Sequence, residues 1–264
     1  MPYSLKLLLI GLFSILTGIV VIVLGPFDHR GRLAYRFCTF WAWAILKVGG
    51  IRLRVCGLER LDPDRPYVFL ANHQSYIDIP TMIQALPGFQ LRWIAKKELL
   101  WIPIFGWAMW SCKHIIVDRR NLTKASVILR KARERINVGS SVVIFPEGTR
   151  SSHGELLPFK RGGFVLALKS RIPVVPVTII GSTHIWPRDQ WRVQKGEITV
   201  IVSEPVSVDR YRVGKIRDLM DHVRAEMERH GQHPPPFPDE RTDAGKTTVA
   251  NSDLSRERIN PWIR

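Results

Sequence analysis

The sequence has few cysteines and lacks two common catalytic motifs. Its three cysteines, Cys38, Cys56 and Cys112, are far apart in the chain and form no CxxC pair. This spacing indicates neither a disulfide scaffold nor a zinc site, so we expect a reducing, cytoplasmic environment. The chain also has no G-x-S-x-G segment, the turn that exposes the nucleophile of serine hydrolases, and no cysteine in a recognisable nucleophile motif.

Acidic residues are scarce as well. The 264 residues include 23 Asp and Glu against 39 Lys and Arg, which gives a formal net charge of +16. Such an excess predicts an anionic partner: nucleic acid, a membrane surface or a phosphorylated substrate. No helix-turn-helix, ribonucleoprotein motif or zinc finger is apparent, so we expect no nucleic-acid binding. The length suits one domain with appendages.

One long stretch near the N-terminus carries no charge. Residues 7–24 are apolar and about long enough to enter or span a bilayer, and no small-x-small cleavage site of a secretory signal follows. Residues 33–48 are apolar and rich in aromatic side chains, which predicts a second, interfacial helix. We therefore predict that residues 1–48 form a two-helix hairpin embedded in a membrane. The flanking basic residues favour a catalytic domain on the cytoplasmic face, and we expect a bacterial inner membrane.

From residue 51 onward, strand-like and helix-like segments alternate. This alternation predicts an α/β domain at residues 49–230, with a mixed, largely parallel sheet flanked by helices. Residues 231–264 are rich in proline and charge without periodicity, which predicts a disordered tail. The predicted strands are 51–58, 67–71, 90–95, 114–118, 141–145, 174–180 and 198–202, and the longer helices are 122–137, 163–170 and 215–229.

A histidine and an aspartate lie five positions apart directly after the predicted strand at residues 67–71. The segment NHQSYID (residues 72–78) places His73 at the carboxyl end of that strand, where open α/β sheets bind ligands. We interpret Ser75 as the cap of a following helix, with Asp78 one turn inside it. Asp78 can then fold back and orient the imidazole, which would make His73 a general base. The alternative is that Asp78 only caps the helix and His73 is an ordinary turn residue.

Other charged segments fall at predicted strand ends and helix starts. Residues 117–120 (VDRR) and 145–150 (FPEGTR) each bring a carboxylate and a guanidinium to the sheet edge, and guanidinium groups suit phosphate. Residues 159–163 (FKRGG) combine two cations with a helix start that an anion can approach closely. Each segment also has a simpler interpretation, as a surface ion pair, a turn bridge between Glu147 and Arg150, or solvated charge.

Taken together and in this order, the segments resemble the glycerolipid acyltransferases of the lysophosphatidic acid acyltransferase type. The NHxxxxD block of that family corresponds to residues 72–78, its FPEGTRS block to residues 145–151 and its VPV block to residues 175–177. The second block, a hydrophobic residue followed by an acid and an arginine, corresponds to residues 117–119. This block departs from the family pattern, because Lys113 and Ile116 stand where glycine and an aromatic residue are usual. The resemblance covers roughly residues 67–181 and implies the glycerolipid acyltransferase fold.

The resemblance implies transfer of a fatty acyl group from acyl-CoA or acyl carrier protein to the sn-2 hydroxyl of 1-acylglycerol-3-phosphate, giving phosphatidic acid for phospholipid biosynthesis. His73 would deprotonate the hydroxyl, which attacks the thioester, while Asp78 orients the imidazole. No bound cofactor and no metal are implied, and the partners are lysophosphatidic acid, the acyl donor and a lipid membrane.

The resemblance also implies where the acceptor binds. Its phosphate and glycerol would contact residues of the second and third blocks, to which the helix-start argument adds two cations; the resulting set is Arg119, Glu147, Gly148, Thr149, Arg150, Lys160 and Arg161. Val175, Pro176 and Val177 either form a wall beside the acyl chain or are the core of a buried strand.

Three alternatives stay open at this point. Within the family, the acceptor could be another lysolipid. A metal-dependent hydrolase could use His73, Asp78, His114 and Asp118, although no HExxH or similar motif supports it. A basic, membrane-associated module without enzyme activity would explain the charge and the apolar N-terminus, but not the arrangement of histidine, carboxylates and arginines.

Overall fold

The sheet of this protein has the predicted mixed, largely parallel topology. A computed structural model describes residues 1–118, 125–152 and 154–232. Within these residues seven strands form one sheet in the order β1-β7-β6-β2-β5-β3-β4. Strands β6 and β7 pair antiparallel, and the other neighbours pair parallel. The strands are β1 Ile51–Cys56, β2 Val68–Ala71, β3 Gln90–Lys96, β4 Ile115–Val117, β5 Ser140–Ile144, β6 Val174–Ile180 and β7 Gly196–Val202.

Helices cover both faces of the sheet because the central strands are apolar on both sides. Phe69 and Ala71 of β2 belong to one buried cluster, and Val68 and Leu70 belong to another. Such continuous apolar runs are typical of parallel strands buried on both faces. The helices are α1 Tyr3–Leu24, α2 Arg32–Gly49, α3 Asp78–Ala85, α4 Phe105–Ser111, α5 Ala125–Asn137, α6 Gly162–Ser170, α7 Ser182–Ile185 and α8 Ile216–Gln232.

The predicted element bounds differ mainly at the ends. Helix α8 continues to Gln232, two residues into the segment predicted as a tail. Residues 233–264 lie outside the described residues, as do residues 122–124 of the predicted helix 122–137, whose described part begins at Ala125.

The two N-terminal helices are present, but they differ in character. Within the described residues, α1 is the one helix long and apolar enough to cross a membrane by length and composition, and 17% of its most apolar window is buried. Helix α2 contributes Ala42, Ile45 and Leu46 to the main core and packs against α3. Because α2 is amphipathic, it serves the domain core with one face, a role that the prediction of a membrane hairpin did not include. The domain division at residue 48 stays a prediction.

Helix α1 contacts the rest of the protein along one narrow stripe. The Lys6 Nζ donates to the Gly49 carbonyl at 2.8 Å, and the Trp41 Nε1 donates to the Ser14 Oγ at 2.9 Å. Farther along, a Cβ added at Gly18 would lie 2.7 Å from the Ile104 side chain, so only glycine permits this close approach to the segment before α4. The opposite face of α1 exposes leucine, isoleucine and valine side chains.

Two of the cysteines meet in the fold although they are distant in the sequence. The Sγ atoms of Cys38 in α2 and Cys112 after α4 lie 3.2 Å apart, and both thiols are free. Their side chains pack beside Val21 of α1, at the point where α1, α2 and α4 meet. Sequence spacing alone gave no indication of this contact.

Candidate active site

The parallel strands bring the first and third sequence blocks together. Strands β2 and β5 are hydrogen-bonded neighbours, with Leu70 opposite Ile144, so the segments that follow them leave the sheet at the same edge. His73 follows β2, and residues 145–151 follow β5. The edge is the one where ligands bind in open α/β sheets.

The His73 imidazole is oriented by the carboxylate of Asp78. The His73 Nδ1 lies 2.9 Å from the Asp78 Oδ2, and this oxygen also accepts the backbone N–H groups of Gln74 at 2.7 Å and Ser75 at 2.8 Å. Asp78 is fully buried, whereas the His73 side chain is 17% exposed. A carboxylate at Nδ1 favours the tautomer with its proton there, which leaves the lone pair of Nε2 for a substrate. The arrangement suits a general base.

The prediction that Ser75 caps the following helix is wrong. Helix α3 begins at Asp78, and the Ser75 Oγ instead donates to the carbonyl of Trp186 at 2.6 Å while accepting the N–H of Ile77 at 3.3 Å. The hydroxyl therefore attaches the turn to a segment more than a hundred residues away in sequence. Asp78 accepts N–H groups of the turn before the helix rather than of the helix itself, and it also makes the expected contact with His73, whose catalytic role stays a prediction.

Three residues of the third sequence block contact His73. The Glu147 Oε1 accepts the His73 backbone N–H at 2.7 Å, and the Ser151 N–H donates to the His73 carbonyl at 2.9 Å. The ring of Phe145 stacks on the imidazole with a centroid distance of 3.9 Å and an interplanar angle of 12°. The position of His73 therefore depends on residues that follow a different strand.

Glu147 itself points into the protein. It is 2% exposed, and its Oε2 accepts the backbone N–H of Leu157 at 2.9 Å. Burial raises the pKa of the Glu147 carboxyl to about 7, with a further rise from the charge of Asp78, although its two N–H bonds act in the opposite direction. The bridge to Arg150 that was the alternative interpretation is absent from the ion pairs of the described residues. Glu147 thus supports the turn that carries the base.

Arg150 presents a cation beside this turn. Its guanidinium carbon lies 3.6 Å from the centroid of the Tyr76 ring, and its carbonyl accepts a hydrogen bond from Arg188 at 2.8 Å. One of its guanidinium nitrogens, Nη1, is buried and has no hydrogen-bond partner within the described residues. A flat guanidinium with a free donor is suited to an anionic oxygen.

Lysine and glycine pack closely in the same loop. Gly148 has a φ of 72°, and a Cβ built there would lie 2.8 Å from the Lys160 Nζ, so the lysine side chain crosses the glycine. The Lys160 backbone N–H donates to the Pro146 carbonyl at 2.8 Å. Lys160, Arg161 and Thr149 are exposed, and Arg161 directly precedes α6. Two further cations are thus presented at the start of a helix.

Comparison with known proteins places this geometry in a family. A family model described as Acyltransferase matches residues 52–180. The 1-acyl-sn-glycerol-3-phosphate acyltransferase of Limnanthes douglasii is 32% identical over 208 residues, which cover 78% of this chain and 73% of that relative. The chain belongs to the glycerolipid acyltransferase family, of the 1-acyl-sn-glycerol-3-phosphate acyltransferase type.

Other relatives and a solved structure agree with this assignment. The human 1-acyl-sn-glycerol-3-phosphate acyltransferase alpha is 37% identical over 179 residues, which cover 67% of this chain and 63% of the relative. The chain therefore spans less than two thirds of the length of the mammalian relatives that it matches. The crystal structure of the 1-acyl-sn-glycerophosphate (LPA) acyltransferase PlsC from Thermotoga maritima has a TM-score of 0.66 and 27% identity, covering 86% of this chain and 95% of that one.

Not every predicted site residue of this acyltransferase joins the group around His73. Arg119 lies outside the described residues. The end of β4, which precedes it, does not neighbour the end of β5, because β3 lies between these two strands. The strands that precede Arg119 and Arg150 are therefore not neighbours in the sheet.

The four ligands of the metal-hydrolase alternative do not converge. His114 precedes β4 and Asp118 follows it, so the two residues lie at opposite ends of a strand that is parallel to its neighbour. The His114 ring packs edge-on against Trp93, and burial lowers the pKa of its imidazole to about 3. Of His114 and Asp118, therefore, only Asp118 is at the sheet edge that carries His73 and Asp78.

The VPV block lies inside the sheet. Val175, Pro176 and Val177 are buried in β6 opposite residues of β2, and both valines belong to the main core. This is the position of strand-core residues, and contact with an acyl chain stays a prediction.

Sequence reasoning missed the role of Asn72. Its side-chain Nδ2 donates to the Ile179 carbonyl at 2.9 Å, and its Oδ1 accepts the Ile179 N–H at 2.7 Å. The amide thereby continues the pairing of β2 with β6 at the point where the chain turns toward His73. A buried asparagine directly after an apolar strand is the signal that could have indicated this role.

The pKa of Glu147 predicts a pH dependence of stability. Because the folded chain keeps this proton where the unfolded chain has lost it, the stabilising contribution is fully present below the ordinary pKa of 4.5 and is lost as pH rises through about 7. The melting temperature in detergent is measured for the native protein and for Glu147→Gln. The native value minus the variant value should fall as the pH rises from about 5 to about 8. A difference between the two melting temperatures that stays constant with pH would contradict the raised pKa.

Proposed function

We propose that this protein transfers an acyl group from a thioester donor, acyl-CoA or acyl carrier protein, to the sn-2 hydroxyl of 1-acylglycerol-3-phosphate. The product is phosphatidic acid. The observation that carries this proposal is the His73 and Asp78 pair at the sheet edge, with Arg150 beside the same turn. The relatives support the acceptor, because each is named as a 1-acyl-sn-glycerol-3-phosphate acyltransferase.

The geometry supports direct transfer without an acyl-enzyme. The acceptor hydroxyl gives its proton to the His73 Nε2 as its oxygen attacks the thioester carbon, and the departing thiolate takes a proton back from the imidazole. The Asp78 carboxylate stabilises the imidazolium between these two steps. Ser75 is fully buried and its hydroxyl donates to a carbonyl, so it is not poised as a competing nucleophile.

We propose that the phosphate of the acceptor binds between cations near His73. The buried and unpartnered Nη1 of Arg150 supports this assignment, and the exposed Lys160 and Arg161 add positive charge at the start of α6. Arg119 is proposed to join them, whereas Glu147 is proposed to act through the His73 backbone. No bound cofactor or metal is required by this scheme.

The proposed location is a membrane, with the catalytic domain on the cytoplasmic face. The exposed apolar face of α1 supports bilayer contact. Arg30, in the connection between α1 and α2, and Arg32 and Arg36, in the first turns of α2, favour the cytoplasmic side. We propose a bacterial inner membrane, which the similarity to the PlsC of Thermotoga maritima supports.

The phosphate assignment is tested by the kinetics of Arg150 variants. Arg150→Ala should raise the acceptor KM roughly tenfold to a hundredfold, because a hydrogen bond between charged groups is worth about 1.5–3 kcal/mol. Arg150→Lys keeps the charge but loses the planar fork, so it should give a smaller rise, and the donor KM should change little in both. Arg130→Ala, an exposed arginine paired with Glu134 in α5, is the control.

Two outcomes would contradict the assignment. An unchanged acceptor KM in both Arg150 variants would show that the phosphate binds elsewhere. An equal rise of both KM values with a lower melting temperature would make Arg150 a structural residue. Mass spectrometry of the products from a panel of lysolipids, each with both donors, identifies the acceptor and the donor.

A further inference from the structure

We propose that the segment before and within α4 forms a second bilayer-contacting surface of this protein, separate from α1 and α2. We call it the tryptophan face, and it consists of Trp101, Ile102, Phe105, Trp107 and Trp110. Its occupant is the headgroup boundary of a lipid bilayer. The inference goes beyond the proposed function, because it does not depend on which group is transferred.

The exposure of these side chains is the first observation. Trp101 is 81% exposed, Trp107 56% and Trp110 60%, and Ile102 and Phe105 are also exposed. Leaving five large apolar side chains in water within ten residues is unfavourable, and contiguous exposed patches of this kind mark interaction sites. Tryptophan is the residue that suits the boundary between hydrocarbon and water, because its ring is apolar and its N–H can be hydrogen-bonded by headgroups.

Continuity with α1 decides which partner covers the face. A groove of about 530 Å³ separates the tryptophan face from the end of α1, and its lining includes Ile22, Pro26, Trp101, Trp107 and Trp110. Helix α1 is the described element most suited to a bilayer, and its outward side is apolar along its length. A bilayer that meets the end of α1 therefore meets the indole rings across this groove.

The charges around the face suit anionic headgroups. The Lys113 Nζ lies 5.2 Å from the centroid of the Trp110 ring and donates to the Gly25 carbonyl, which places an ammonium group at the border of the face. Lys96 and Lys97 are exposed at its other side, where Glu98 is the neighbouring acid. Basic side chains beside exposed aromatic rings are the composition of surfaces that bind anionic membranes.

One end of the tryptophan face, at Trp101, lies at the sheet edge that carries the active site, and α4 leads from there to the start of β4. The 3-10 turn Lys97–Trp101 directly follows β3, which is parallel to β5 and therefore ends at the edge where His73 lies. The Lys97 Nζ lies 3.9 Å from the Oδ2 of Asp118, the residue that follows β4 at the same edge. Contact of the face with headgroups would hold the β3 and β4 end of the sheet against the lipid surface, whereas β7 lies toward its other end.

Fluorescence quenching in bilayers tests the proposal on the full chain. The protein is reconstituted into vesicles of phosphatidylcholine and phosphatidylglycerol, with and without lipids brominated close to the headgroup. The chain has nine tryptophans. Replacing three of them (Trp101→Phe, Trp107→Phe and Trp110→Phe) keeps apolar rings on the face but removes its fluorophores. The quenched amplitude, which is the fluorescence that the brominated lipids remove, should therefore fall by roughly half. Trp191→Phe is the matched control, because Trp191 is 75% exposed but precedes β7, toward the other end of the sheet.

The outcomes separate the bilayer from other occupants. A quenched amplitude that is unchanged in the triple variant would mean that the three rings lie in water, and would overturn the proposal. An equal loss in Trp191→Phe would overturn the assignment to this face. Light scattering in detergent tests whether a second copy of the chain covers the face instead. If the native protein is a dimer and the triple variant is a monomer, and quenching is the same in both, the face is a dimer interface and the bilayer proposal is overturned. Trp107→Phe alone, with a smaller expected loss, replaces the triple variant if the latter does not fold.

Discussion

Replacing His73 with alanine is expected to lower acyl transfer roughly a hundredfold to ten-thousandfold, the usual contribution of a general base. The loss should appear in kcat, because the imidazole acts on the hydroxyl in the transition state rather than in binding. Consumption of the thioester in the presence of lysophosphatidic acid measures it. His222→Ala, which changes an exposed histidine of α8, should keep normal turnover.

The same experiment with Asp78→Asn tests the role of the carboxylate. Asparagine fits the space, but it carries no charge to stabilise the imidazolium, and an amide nitrogen turned toward His73 would donate to Nδ1 instead of accepting from it. We expect a severe loss of turnover through the wrong imidazole tautomer. Near-normal turnover by His73→Ala, in a protein that still folds and binds membranes, would remove the proposed chemistry altogether.

Glu147→Ala is expected to have the second largest effect, on stability and turnover together. The substitution leaves the backbone N–H groups of His73 and Leu157 without their acceptor in a buried setting, which costs about 1–3 kcal/mol for each group. The melting temperature should fall, and kcat should fall with it because the turn that carries the base is released. Thermal unfolding in detergent and steady-state kinetics measure the two effects.

A matched control is available in the same loop. Glu155→Ala changes an exposed glutamate and should leave both properties near their native values. If Glu147 instead contacted the acceptor, its replacement would raise the acceptor KM and leave the melting temperature unchanged. That result would return Glu147 to the acceptor site implied by the family resemblance.

The parts of this site that are local in sequence could be predicted, and the parts that depend on distant segments could not. His73 and Asp78 are five residues apart across a strand end and a helix start, so their contact follows from local geometry. The bond from Glu147 to the His73 N–H joins positions 74 residues apart, and only the order of the strands brings them together. The burial of Glu147 likewise has no counterpart in the sequence, where it reads as a surface charge.

The fold shows the same division. Alternating apolar segments predicted a largely parallel sheet, and its topology is confirmed. Helix α2 was assigned to the membrane because its composition is apolar and aromatic, but composition does not tell a lipid-facing side from one that faces α3. The exposure of the indole rings of residues 101–110 could not be predicted, since exposure is a property of the folded chain.

The ring of Phe145 against the imidazole of His73 has a stereochemical consequence. With one face of the imidazole closed by Phe145 and one edge held by Asp78, the acceptor hydroxyl can reach Nε2 from a restricted direction. A thioester bound in a single orientation is then attacked on only one of its two prochiral faces. In the proposed transfer, the tetrahedral carbon should therefore have a single configuration, set by the position of the bound thioester together with the direction that Phe145 and Asp78 leave open at His73.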